Sequence, residues 1–107
     1  MFTYNHDVPL TPGGEGVQRK ILSYSQDLML CEILLEAGSV VPIHAHPHEQ
    51  ITYIITGKCT YTVGEETRDV AAGDSVLIPG NVPHSITAHE NMKVVDVFSP
   101  AREDFLT

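Results

Sequence analysis

The chain has no apolar run near the ~18 residues that a membrane-crossing helix needs, although 42% of its 107 residues are apolar. That content is too high for a disordered chain and too evenly spread for a membrane protein. The start, MFTYNHDVPLTPGG, has no basic stretch followed by an apolar one. No secretory leader is read there, and the expected compartment is the cytoplasm. Basic residues are few, with Arg19, Lys20, Lys58, Arg68, Lys93 and Arg102 scattered through a chain of net charge −8. Without a basic stripe or a recognition helix, nucleic acid is not an expected partner. Cysteine is scarce as well. Cys31 and Cys59 stand in apolar, strand-like segments without CxxC spacing, which reads as two buried free thiols.

Helical periodicity is nearly absent too. In its place are short β-rich runs punctuated by Gly, Pro, Asn and Asp: Val17–Tyr24, Leu28–Leu35, Val40–His46, Gln50–Thr56, Lys58–Val63, Thr67–Val70, Ser75–Ile78, His84–Ala88 and Met92–Phe98. This predicts an all-β fold, a sandwich or closed barrel, in one domain over 1–107. Ile55-Thr56-Gly57-Lys58 reads as a tight hairpin, Gly64-Glu65-Glu66 and Ala71-Ala72-Gly73-Asp74 as further turns, and Thr11–Gly14 as a mobile loop. Ala101–Leu106 is expected to form a short helical turn.

Four of the six histidines are His44, His46, His48 and His84. In His44-Ala45-His46, i and i+2 of a strand point to one face, and Pro42 and Pro47 are expected to bound that strand. After the turn Pro47-His48-Glu49, where both polar side chains are expected to be solvated, Gln50 re-enters a strand and can bring its amide oxygen alongside the pair. His84 follows a Pro-bounded turn and is the natural fourth ligand of a metal ion. Two histidines at this spacing also arise by chance, so the pair alone leaves the question open. A second segment, Val94–Arg102, puts Asp96 and Phe98 on one strand face, with Arg102 just beyond the strand end. A carboxylate there needs a partner and tends toward a raised pKa suited to proton transfer, while an arginine can fork onto a substrate carboxylate. An Asp96–Arg102 pair that only closes the structure is the competing reading.

Gly38-(five residues)-His44-Ala45-His46-(three residues)-Gln50-(six residues)-Gly57 resembles the first motif of the cupin superfamily, with Gln50 in place of the usual Glu. Gly73–His84 resembles the second, which would run to about residue 88, with Asn81 where Gly is common and Ala88 where Asn is common. The resemblance implies a cupin-type jelly-roll β-barrel with a metal at its mouth, on His44, His46, Gln50 and His84. It also implies a homodimer, with Phe2–Tyr4 and Val17–Tyr24 as candidate interface strands. The closing segment DVFSPAREDFL is similar to that of the pectin-degradation (KdgF-like) group, which opens 4,5-unsaturated monouronates to linear keto sugars. In that group an Asp, a Phe and an Arg at the positions of Asp96, Phe98 and Arg102 line the active site.

Three imidazoles and an amide oxygen carry no charge, so a bound divalent transition metal (nickel, zinc, iron or manganese) keeps its own. That suits Lewis-acid chemistry on a small, carboxylate-bearing substrate better than oxygen activation. The expected function is therefore an enzyme acting on a sugar acid. A metal-dependent dioxygenase or other oxidoreductase and a non-catalytic ligand-binding cupin are the competing functions.

Overall fold

Apolar residues at every second position dictate which side of each strand turns inward. The computed structural model describes residues 1–107 and contains ten strands. They are β1 (Thr11–Gly14), β2 (Val17–Tyr24), β3 (Met29–Leu35), β4 (Val40–His44), β5 (Glu49–Thr56), β6 (Lys58–Val63), β7 (Glu66–Ala71), β8 (Ser75–Ile78), β9 (His84–Ala88) and β10 (Met92–Ser99). Met29, Cys31, Ile33 and Leu35 alternate inward on β3, as do Met92, Val94 and Phe98 on β10. The strands form two antiparallel sheets, one ordered β1-β2-β3-β10-β5-β8 and the other β4-β9-β6-β7. Their inner faces enclose a core of 14 apolar residues, giving the cupin-type jelly roll. Cys31 and Cys59 belong to that core as free thiols. Burial pushes them up to about 12 and about 11, which keeps both protonated. No helix is long and apolar enough to cross a membrane.

Four local expectations need correction. Thr11–Gly14 is not a loop but an edge strand, paired antiparallel with β2 and bulged between Pro12 and Gly14. At a sheet edge the missing proline N–H costs no ladder bond. Gly57 is not the tip of a hairpin. It is a corner, because β5 stays in the six-stranded sheet while β6 joins the other. The histidine strand ends at His44, so His46 lies beyond it, and Pro42 sits inside β4, where the register with β9 shifts between Val41 and His44. The bulge absorbs a residue that cannot donate to the ladder. Phe2–Tyr4 takes no strand conformation, whereas the expected closing turn is present as a 3-10 turn over Glu103–Phe105.

Gly57 shows how tightly the two sheets are joined. Its φ is +89°, and a Cβ there would meet the Asn91 carbonyl oxygen at 2.5 Å and Met92 Cγ at 2.8 Å. Gly57→Ala combines a left-handed backbone penalty with overpacking, so it is expected to cost roughly 2–4 kcal/mol. The check is a lowered urea midpoint with an unchanged m-value, set against Gly38→Ala, also at positive φ but with nothing within 4 Å of the added Cβ.

Candidate metal centre

The polar end of the interior is assembled by strand register. β4 and β9 pair so that His44 stands opposite His84, and β5 and β10 pair so that Gln50 faces Phe98 and Thr52 faces Asp96. His46, just past β4, is fixed by its backbone, since its carbonyl accepts from the Asn81 N–H at 2.7 Å. Asn81 adopts a φ of +65° to make this contact, a conformation that asparagine tolerates better than most residues. Beside it Gly80 packs so closely that a Cβ would lie 2.5 Å from the Pro47 carbonyl oxygen. The second-motif turn thus clamps the loop that carries His46.

The ligand atoms of His44, His46 and His84 all lie within 4.8 Å of one another. Each ring is oriented in the same way. Nδ1 of His44 donates to the Pro42 carbonyl at 2.9 Å, Nδ1 of His46 to that of His48 at 3.1 Å, and Nδ1 of His84 to that of Val82 at 2.8 Å. A neutral imidazole that donates from Nδ1 has only a lone pair at Nε2. Nε2 of His84 is buried and has no hydrogen-bond partner.

The fourth group is Gln50, 5% exposed, and its orientation follows from a chain of hydrogen bonds. The Thr52 hydroxyl donates to Asp96 Oδ1 at 2.6 Å. Its oxygen must then accept from both the Tyr61 hydroxyl at 3.0 Å and Gln50 Nε2 at 3.1 Å. With the amide nitrogen so committed, Gln50 Oε1 points at His46 Nε2, 3.0 Å away. Two lone pairs facing each other repel unless a cation lies near both. Protonation of His46 is disfavoured, since burial and then the Arg102 charge hold it below the ordinary 6.5. Burial also lowers His84. The donor set therefore fits a divalent metal, with each histidine carrying the carbonyl partner that metal-binding histidines need.

Asp96 faces a cavity of about 310 Å³ that His44, Gln50, His84, Phe98 and Arg102 also line. Burial raises its pKa, against the opposing pull of Thr52, Gln50, Arg102 and His44. The Asp96–Arg102 pair weighed above does not form. Arg102 instead makes a bidentate pair with Asp104 at 2.8 and 3.0 Å, and it lies over the rings of Phe98 and Phe105 at 5.1 and 4.1 Å. Sequence reasoning brought Asp96, Phe98 and Arg102 to this wall but missed Thr52, Tyr61, Arg19 and Phe105. Thr52 was findable, as it shares a strand face with Gln50 two residues on. Tyr61 and Phe105 carried no chemical signal.

Elemental analysis is expected to find about one transition-metal equivalent per chain, lost in the His44→Ala/His46→Ala double variant. Only the neutral imidazole binds an ion, and His46 and His84 stay neutral to below 6.5. Metal affinity is thus expected to hold from pH 8 down to about 6.5 and to fall below it. A titration in which affinity already halves near pH 7.5 would contradict this site.

The geometry agrees with the relatives of the chain. The cupin domain family matches residues 31–98, which contain both halves of the cluster. The pectin degradation protein KdgF of Dickeya dadantii is 33% identical over 102 residues, covering 94% of this chain and 93% of its own. The structure of KdgF from Halomonas sp. superposes with a TM-score of 0.93 at 33% identity, over 98% of this chain and 97% of that one. An RmlC-like cupin from Shewanella frigidimarina also gives 0.93, at 32% identity over 97% and 94%. The chain belongs to the cupin family, as a small member similar to the KdgF proteins.

Proposed function

We propose that this protein is a metal-dependent enzyme that opens and tautomerises an unsaturated uronate, an isomerisation that needs no oxidant or reductant. The observation that carries the reading is Asp96. It is a cavity-facing carboxylate with a raised pKa, held beside a cluster of neutral metal donors. Similarity along nearly the whole chain to a protein named for pectin degradation supports a sugar-acid substrate. A divalent ion on His44, His46, His84 and Gln50 Oε1 would supply Lewis acidity toward a ring or carbonyl oxygen.

The remaining roles belong to the chain itself. Asp96 moves the proton between oxygen and carbon as the enol becomes a ketone, and burial raises its pKa, which favours the protonated, donating form. Thr52 engages Oδ1 of Asp96, which leaves Oδ2 to carry the proton. Phe98 forms the wall against which the sugar lies. Arg102, anchored through Nε and one terminal nitrogen by Asp104, offers its other edge to the substrate carboxylate. The buried free thiols of Cys31 and Cys59 suit a reducing, cytoplasmic setting. A second copy of the chain is the proposed partner, seated on the outer face of the six-stranded sheet, where Ile51, Tyr53, Ile55 and Leu77 are exposed.

Asp96→Asn is expected to lower turnover of 4,5-unsaturated galacturonate by about 10²–10⁴-fold, the usual worth of a positioned proton carrier, while metal content stays at the wild-type level. Full activity, or loss of the metal, would remove Asp96 from this role. Light scattering is expected to give a mass near twice the 11.7 kDa of one chain.

A further inference from the structure

One cation of the cavity has no role so far. On β2 the inward positions are Val17, Arg19 and Ile21, and Val17 and Ile21 belong to or pack against the core. Arg19 thus occupies a place where the alternation calls for an apolar side chain, opposite the buried Ile33 in the register with β3. Its guanidinium lies 3.7 Å from the centroid of Phe105, the ring that Arg102 also covers at 4.1 Å. Two cations from opposite ends of the chain therefore share one aromatic ring at the wall of the cavity that Asp96 and the histidines line.

The two cations differ in their partners. Arg102 is bonded at two nitrogens to Asp104. Arg19 has no acid within salt-bridge distance and no side-chain hydrogen bond, and its buried Nε has no partner. The titratable groups around it are Cys31, Arg102 and Asp104. The first is a neutral thiol, the second a like charge, and the third is already bonded to Arg102. An apolar residue at this inward position would avoid the cost of drawing a charge out of water. A purely structural arginine would also be expected to find a carboxylate or carbonyl for its five donors.

We propose that Arg19 is the specificity-determining residue of the cavity, the group that receives the carboxylate of the substrate and selects a sugar acid over a neutral sugar. Phe105 holds the guanidinium flat by stacking, and the fork of Arg19 meets one side of the carboxylate while the free edge of Arg102 meets the other. The inference rests on reading the cavity as a sugar-acid site, and it deepens that reading by naming what recognises the acid.

Calorimetry on the metal-loaded protein with D-galacturonate and D-galactose tests it without relying on turnover. Wild type is expected to bind galacturonate roughly tenfold or more tightly than galactose, the worth of a charge-assisted hydrogen-bonded pair. Arg19→Gln is expected to narrow the preference several-fold, with Arg102 retaining the remainder and metal content unchanged. Arg19→Lys keeps the charge but loses the fork, so an intermediate preference is expected. Lysine also serves alone should the glutamine variant fail to fold. Absence of the preference in wild type, or its full retention in either variant, overturns the proposal. Wild-type turnover of an unsaturated uronate is measured separately. If that fails while the preference depends on Arg19, ring opening is lost and anion selection by Arg19 stands.

Discussion

The pairing of β5 with β10 is the constraint on which the site depends. It sets Gln50 opposite Phe98 and Thr52 opposite Asp96, so all four side chains share the inner face of the central strands. Because side chains alternate with a period of two, a slip of one residue by either strand would turn its pair toward solvent and bring Ile51 and Tyr53, or Val95 and Val97, inside. The apolar half of the same strands prevents that slip. Ile54 and Val94, both fully or nearly fully buried, lock the register from within the core. The packing that stabilises the barrel is thus also what aims its polar groups.

From that register a sequence of donors and acceptors runs inward without a break. Tyr61 donates to Thr52, Thr52 donates to Asp96, and Gln50 donates to Thr52. Burial makes each of these bonds hard to forgo, since an unmet polar group there costs more than the bond itself contributes. The outcome is that the Gln50 carbonyl oxygen has one direction left, toward the imidazoles. Glutamate, common at this position in the family the motif resembles, would place a second carboxylate against Asp96. The amide keeps an oxygen toward the imidazoles while supplying a donor on the other side.

Much of this was legible beforehand because it depends on local chemistry. Strand periodicity located nine of the ten strands, and the histidine spacing with Gln50 and His84 named the groups that the structure gathers at one end of the barrel. What stayed hidden depends on non-local pairing. Gly57 looks like a hairpin tip in sequence, and only the sheet order reveals that its neighbouring strands part company. Thr11–Gly14 has the composition of a loop, yet an edge position makes proline and glycine harmless in a strand. Arg19 reads as one of several scattered cations until β3 is laid beside β2 and the side of the sheet it faces becomes known.

The unequal distribution of charge has a further consequence. The chain as a whole is strongly anionic at −8, while the cavity is lined by two guanidiniums, two imidazoles and a single acid, Asp96. An anion therefore meets repulsion at a distance and attraction only on arrival. With a Debye length of about 10 Å at 0.1 M salt, the exterior field fades before the cavity is reached, whereas contacts in the low-dielectric interior are screened far less. Ionic strength thus governs how readily an anion approaches more than how firmly it is held. Such an electropositive well within an acidic shell leaves one place where a small anion is welcome.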